Sequence, residues 1–291
     1  MTTSHPTTIN RVEVDGLNVF YREAGAKNAP VLLALHGYPT SSLSYRHLLT
    51  GLSDKYRVIA PDLPGFGFTE VPAERKYEYT FANIANTVGA FVDKLGLDKY
   101  ALYVFDYGAP TGFRLFLSRP NSVTAIITQN GNAFVEGLGK FWVDIKRYWD
   151  DPSPANREAI RYNTEFEATK FQYVHGEAHP ERIPPETWHL DAALLSRPGN
   201  AEIQLDLFLD YKTNVDLYPD FQKQLTKYQP PVLAVWGRED PIFIPPGAEK
   251  FKSVVKDAEV ILLEGAGHFA LESHPEQIVG EIRKFLAKRG I

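Results

Sequence analysis

The feature that most restricts this chain is a series of short apolar runs, each stopped by a turn or a polar residue at its C-terminal end. Residues 31–35 run to His36-Gly37, 56–60 to Pro61-Asp62, 101–105 to Asp106, and 123–128 to Gln129-Asn130-Gly131. A strand that stays apolar through successive positions, instead of alternating, is buried on both faces. Such strands belong to a parallel sheet covered by helices. Helical patterns lie between the runs. Residues 80–95 place Phe81, Ile84, Val88, Phe91, Val92 and Leu95 at helical spacing, with Gly96 suited to the C-terminus. Residues 11–16 and 17–24 alternate instead, as a hairpin about Asp15-Gly16.

After Pro230-Pro231 the rhythm resumes with a strand at 232–236, a helix at 246–256, a strand at 260–263 and a last helix at 275–288. The stretch 132–229 breaks it. Rich in Trp and Tyr and punctuated by Pro-containing turns, it reads as several helices joined by turns. The expected architecture is therefore α/β, a mostly parallel twisted sheet flanked by helices. Residues 1–131 and 230–291 form its core, and 132–229 a helical cap inserted after the sixth strand. A cap placed there covers the C-terminal ends of the strands, where open α/β sheets bind ligands.

Composition excludes several functions. With 31 basic and 36 acidic residues the formal charge is -5, and no long Lys/Arg run offers a nucleic-acid surface. The absence of cysteine removes disulfides, thiol nucleophiles and Cys-based metal sites. Residues 1–10 are polar, without the apolar core of a signal peptide, and no apolar run reaches the length of a membrane span. The expectation is a cytoplasmic protein with no membrane or nucleic-acid partner, and with a homodimer left open.

The segment Tyr103-Val104-Phe105-Asp106-Tyr107-Gly108-Ala109-Pro110 ends a strand and opens a helix expected over 111–117. A residue at such a sharp turn projects above the sheet and leaves the following backbone N–H free to bind an oxyanion. Small residues must flank it. Gly108 meets this downstream, but Val104 stands where glycine is usual upstream. Asp also caps helices, so this motif alone leaves two readings. Its partners decide between them. Asp240 follows the strand at 232, and His268, between Gly267 and Phe269, follows the strand at 260. The order nucleophile, acid, base suits a triad in which a carboxylate orients the imidazole. Glu239 is an alternative acid, but Asp240 is preferred for its shorter reach and the proline after it. The turn His36-Gly37-Tyr38-Pro39 offers the Tyr38 N–H as a second oxyanion donor beside that of Tyr107. His36 and the turn 62–67 are read as structural.

Taken together, these motifs resemble the α/β-hydrolase superfamily along nearly the whole chain, and within it the epoxide hydrolase and haloalkane dehalogenase branch, where the nucleophile is Asp. The resemblance implies no metal or organic cofactor, and the aromatic cap suggests a small apolar substrate besides water. Dehalogenases of this group hold the halide with indole or amide N–H groups, typically a Trp after the nucleophile. Here Tyr107 and Tyr38 occupy the common donor positions, and Gln129 and Asn130 stand where one subgroup carries its acid. Fluoroacetate dehalogenases place Arg beside the nucleophile; Arg114 is read instead as a packing or surface group. Epoxide hydrolases use two cap tyrosines to bind the oxygen released on ring opening. Tyr211 matches the second, and Tyr148 is the candidate for the first, with Tyr162 behind it. The expected activity is hydrolysis of an apolar epoxide to a vicinal diol. The alternatives are a haloalkane or haloacid dehalogenase with unusual donors such as Trp142 or Trp149, and a non-catalytic ligand receptor on the same scaffold.

Overall fold

The computed structural model describes residues 5–291; of the polar stretch 1–10, residues 1–4 lie outside them. Eight strands form one sheet: β1 Thr8–Val14, β2 Leu17–Ala24, β3 Val31–Leu35, β4 Arg57–Pro61, β5 Tyr100–Phe105, β6 Val123–Gln129, β7 Val232–Gly237 and β8 Glu259–Leu263. Their order is β1-β2-β4-β3-β5-β6-β7-β8. Strand β2 pairs antiparallel with both neighbours and every other pairing is parallel. The β1–β2 turn is made at Asp15 and Gly16, both with positive φ (52° and 76°). That is the left-handed geometry that a tight hairpin asks for.

The alternation of side chains along fully buried strands explains why the apolar runs are continuous. In β5, Leu102 and Val104 join one core with Leu33, Leu35 and Ile126. Ala101, Tyr103 and Phe105 join the core on the opposite face with Leu32, Ala34 and Val235. Each face is covered by helices. Those before β6 are α1 Arg46–Leu52, α2 Phe81–Lys94 and α3 Gly108–Ser118. Thr80 caps α2 by accepting from the Asn83 N–H.

Between β6 and β7 the described residues form no strand, apart from an isolated bridge of Leu138 to Phe243, and the main helices are α4 Val143–Asp150, α5 Pro154–Ala159, α6 Phe166–Val174, α7 Glu186–Leu195, α8 Asn200–Asp216 and α9 Tyr218–Tyr228. Several bonds fasten this stretch to turns at the sheet's C-terminal edge and to α2 and α3. Arg197 and Gln204 donate to the carbonyls of Gly67 and Gly65, and the Tyr38 hydroxyl donates to the Asn163 carbonyl at 2.5 Å. Asp210 accepts from the Phe81 N–H, and Arg114 donates to Thr213 and Asn214. Arg114 is thus a packing group, as its sequence context suggested.

Two elements differ from expectation. The helix expected at 246–256 is two short pieces, α10 Pro246–Glu249 and α11 Phe251–Val254. The Ser253 N–H turns to the Lys250 carbonyl, three residues back, and tightens the second piece. Helix α3 begins three residues before the expected 111, because the Ala109 N–H already bonds the Asp106 carbonyl. Pro110 is harmless there, since a first turn has no internal acceptor for its missing N–H. After α11 and β8 come α12 Ala270–Ser273 and α13 Pro275–Lys288. Among the described residues no helix is long and apolar enough to cross a membrane.

Candidate active site

Asp106 leaves β5 with φ +48°, a conformation costly for any residue but glycine and frequent where a fold stores strain at a working position. The turn projects its carboxylate toward the neighbouring β3 turn. Gly37 is required there: a Cβ at this position would lie 2.2 Å from Asp106 Oδ1. Strand β3 pairs with β5, Leu35 opposite Val104, so the main chain after Leu35 passes directly beside the carboxylate. The Tyr38 N–H donates to Asp106 Oδ1 at 2.5 Å, and the Tyr107 N–H bonds the same side chain. Both oxyanion donors expected from the sequence therefore converge on Asp106.

The glycine missing at position 104 has a replacement on the helix. Val104 Cγ1 would be 2.6 Å from a Cβ on Gly112, one turn into α3. The space that a small residue on the strand normally leaves is left here by the helix that packs on it.

Asp106 Oδ2 points the other way, 3.8 Å from His268 Nε2. His268 is fully buried, and its Nε2 has no hydrogen-bond partner. Its Nδ1 lies 2.9 Å from Asp240 Oδ2, so the Nδ1–H donates to the carboxylate and Nε2 is left as the reactive nitrogen. Asp240 is buried, whereas its neighbour Glu239 is exposed, and geometry selects Asp240. The Ile242 N–H holds Asp240 Oδ1 at 2.7 Å.

Burial pushes the Asp106 carboxyl up to about 6, against the lowering effects of His268 and the two backbone N–H groups. Burial also disfavours charge on His268, but the carboxylates of Asp240 and Asp106 outweigh it and raise its pKa above the ordinary value.

Asn130, at the polar stop after β6 where one related subgroup carries its acid, is itself buried. It donates through Nδ2 to Asp240 Oδ2 at 2.6 Å and accepts from the Gly237 N–H at 3.1 Å. The position after β6 thus supports the acid after β7. The signal was a polar Gln-Asn-Gly at a buried strand end, which points to a buried hydrogen bond without naming its partner. His36 is structural: its Nε2 accepts from the Leu63 N–H and its Nδ1 faces the Gly37 carbonyl. The 62–67 turn is organised by Asp62, which accepts from the Ser42 and Phe68 N–H groups.

The tyrosines separate sharply. Tyr211, on α8, is fully buried among Trp142 (ring centroids 4.5 Å apart), Phe81 (5.5 Å) and Tyr107 (5.7 Å). Its hydroxyl lies 3.2 Å from that of Tyr218, which in turn accepts from Asn132 Nδ2. Tyr148 is elsewhere engaged. Its hydroxyl accepts from Arg157, which is itself ion-paired with Glu202 and Asp206, so it serves to join α4 to α5 and α8. Tyr162 is half exposed. The hydroxyl paired with that of Tyr211 belongs instead to Tyr218, a residue the sequence did not single out. The indole N–H groups of Trp142 and Trp149 donate to the carbonyls of Ile242 (2.9 Å) and Phe208 (2.7 Å). Among the described residues no group of three or more His, Asp or Glu side chains is arranged to hold a metal ion.

Over residues 30–275 the sequence matches the family described as alpha/beta hydrolase fold. The chain belongs to that family. This α/β-hydrolase is 44% identical over 279 residues to an uncharacterized hydrolase of Saccharomyces cerevisiae, covering 94% of this chain and 95% of the yeast protein. It is 28% identical to haloalkane dehalogenase 2 of Mycobacterium bovis, over 87% of this chain and 86% of the relative. The crystal structure of an epoxide hydrolase from Vigna radiata superimposes with a TM-score of 0.76 at 26% identity, covering 97% of this chain and 98% of that one. The protein is a hydrolase whose relatives include both epoxide hydrolases and haloalkane dehalogenases.

Proposed function

We propose that this α/β-hydrolase opens an apolar epoxide to a vicinal diol through an ester on Asp106, with the helical stretch 132–229 as the lid of the site. One observation carries the reading. Beside Asp106 the Tyr107 ring packs on Tyr211, whose hydroxyl pairs with that of Tyr218, while both indole N–H groups suited to a halide are committed to backbone carbonyls.

A carboxylate nucleophile directs the reaction to an sp³ carbon, because its own carbonyl then becomes the centre that water hydrolyses. Asp106 Oδ2 attacks a ring carbon as the C–O bond breaks, and the released oxygen takes the Tyr211 proton. The hydrogen-bond chain explains why that proton is available. Asn132 Nδ2 donates to the Phe134 carbonyl and to Tyr218, while its Oδ1 accepts from the Phe134 N–H. With its oxygen taken by Asn132, Tyr218 turns its own proton to Tyr211, whose proton then faces the ligand. Burial raises the Tyr211 pKa well above its ordinary value, which keeps it a donor at neutral pH.

Esterification removes the Asp106 charge, and with it one of the charges that raised the His268 pKa. His268 sheds its proton more readily and acts as base. Water attacks the ester carbon, giving one proton to Nε2, while Oδ1 becomes the oxyanion held by the Tyr38 and Tyr107 N–H groups. Collapse breaks the bond between the ester carbon and Oδ2. The diol takes the His268 proton, and the second water proton restores Tyr211.

Single turnover in ¹⁸O water tests this order: label enters Asp106, and the first diol carries unlabelled oxygen from Oδ2. In the same experiment His268→Gln accumulates the epoxide adduct on the peptide containing Asp106. Halide release and adducts from chloroalkanes, with none from a broad epoxide panel, would transfer the reading to dehalogenation, which the mycobacterial relative favours.

A further inference from the structure

His268 is held on both flanks by one segment of the helical stretch. On its N-terminal side, the Gly267 N–H donates to Glu177 Oε1 at 2.8 Å. On its C-terminal side, the Phe269 ring stacks on Tyr173, with centroids 3.7 Å apart and planes 16° from parallel. Tyr173 lies in the last turn of α6, and Glu177 in the turn that follows it. The core fixes the rest of the residue. Asp240 takes the Nδ1 side of the ring, Phe105 packs on its face at 4.8 Å, and Gln129 Nε2 donates to the His268 carbonyl at 3.0 Å.

The turn after α6 lies against the loop of the acid as well as that of the base. The Ala178 N–H donates to the Gly265 carbonyl at 2.9 Å, and the Glu239 N–H, beside Asp240, donates to the Ala266 carbonyl at 3.0 Å. A Cβ on Gly267 would meet the His175 carbonyl oxygen at 2.3 Å, and one on Gly176 would meet that of Glu239 at 2.3 Å. Within this seam Glu177 contributes a charged side chain. A carboxylate that accepts a backbone N–H makes a stronger, shorter bond than a neutral acceptor does. It restrains Gly267, a residue with little steric restraint of its own, directly before the base.

We infer that Glu177 is a positioning residue for His268: through the Gly267 N–H it sets where the imidazole stands relative to the Asp106 ester. The inference rests on the proposed two-step reaction, in which His268 activates water for ester hydrolysis and takes no part in the attack by Asp106. Nε2 stands 3.8 Å from Asp106 Oδ2, and the attacking water must fit against both Nε2 and the ester carbon. A small displacement of the ring therefore slows the second step and spares the first.

Single-turnover samples quenched and weighed by mass spectrometry give both rates, as gain and loss of the adduct on the Asp106 peptide. Glu177→Ala is expected to slow ester hydrolysis about tenfold or more, the scale of a misplaced reacting group, and to leave alkylation within about twofold. Glu177→Gln keeps an acceptor oxygen without the charge and is expected to restore hydrolysis to within about threefold of wild type. Glu177→Asp keeps the charge but draws the acceptor back by one carbon, and is expected to lose about fivefold. A merely structural role would lower Tm without dividing the two steps. Equal slowing of both steps, no slowing, or a Gln variant as slow as the Ala variant overturns the inference. Should Glu177→Ala not fold, the other two decide, and equal hydrolysis rates in Gln and Asp variants overturn it. Failure of the epoxide reading shows separately, as a wild type that no epoxide alkylates. Proton NMR of the resting protein then tests Glu177 without turnover. The His268 Nδ1 proton, assigned by its loss in His268→Gln, is expected to give a sharp downfield signal that broadens or vanishes in Glu177→Ala and persists in Glu177→Gln. An unchanged signal in the Ala variant sinks the positioning role whatever the substrate.

Discussion

The sheet and the helical stretch over it position their chemical groups by different means. In the sheet half the backbone does the work. Asp106, Tyr38, Asp240 and His268 sit on turns after β5, β3, β7 and β8, and strand order alone brings those turns together. In the helical half, side chains decide. Tyr211 and Tyr148 both lie on helices and both are buried, yet one faces Tyr218 and the other is bound by Arg157. Helical periodicity says which face a tyrosine occupies, not where its hydroxyl ends. A group set by backbone geometry is therefore expected to fail completely when changed, and a group set by packing by degrees.

The largest expected effect is at Asp106. Asp106→Asn should lower turnover by roughly 10⁴-fold or more, as loss of a nucleophile does. It should also stabilise the fold. The folded pKa is raised to about 6 by burial, above the unfolded value. Stability owed to this group is therefore full at low pH and lost as pH rises through about 6. The asparagine escapes that loss, a gain of at most about 3 kcal/mol. Thermal melts at pH 8 should show the variant a few degrees above wild type, with the difference closing below about pH 4. An Asp106→Asn variant that melts lower at pH 8 would contradict a strained, poorly solvated carboxylate.

The next test sharpens the contrast within the helical half. Tyr211→Phe should reduce single-turnover alkylation by about 10²-fold, the usual scale of a lost acid. Tyr218→Phe should cost about tenfold, since it orients Tyr211 without touching the ligand. Tyr148→Phe should stay within about twofold and instead lower Tm by loosening the Arg157 contact. Equal losses at Tyr148 and Tyr218 would show that their different hydroxyl partners do not set their roles.

The last test is one of pH. Alkylation needs Asp106 ionised, so its rate should fall about tenfold per unit below about pH 6. Asp106 and His268 titrate as a pair, and a bell-shaped profile reports both. A rate constant flat from pH 7 to pH 4.5 would remove Asp106 from the rate-determining protonic state.

These differences also explain what could be read before any coordinates. Continuous apolar runs gave the strands to within one or two residues at most ends, because burial on both faces leaves little freedom of composition; β1 is the exception, reaching back to Thr8. Asp106, Asp240 and His268 were legible because a strand end limits where each side chain points. Asn130 and Tyr218 were not. Each works through a partner more than eighty residues away or across the junction of two helices, and neither relation leaves a periodic mark. Tyr148 shows the complementary case: its local context resembles a site, while Arg157 holds its hydroxyl.

The exchange between Val104 and Gly112 has a practical consequence. A text pattern that demands glycine two positions before the nucleophile would pass over this chain, although the clearance it encodes is present. What such a turn needs is an empty volume between strand and helix, and here the helix supplies it. Searches for carboxylate hydrolases in genomes would recover more of them by scoring that shared clearance than by matching letters on one side of it.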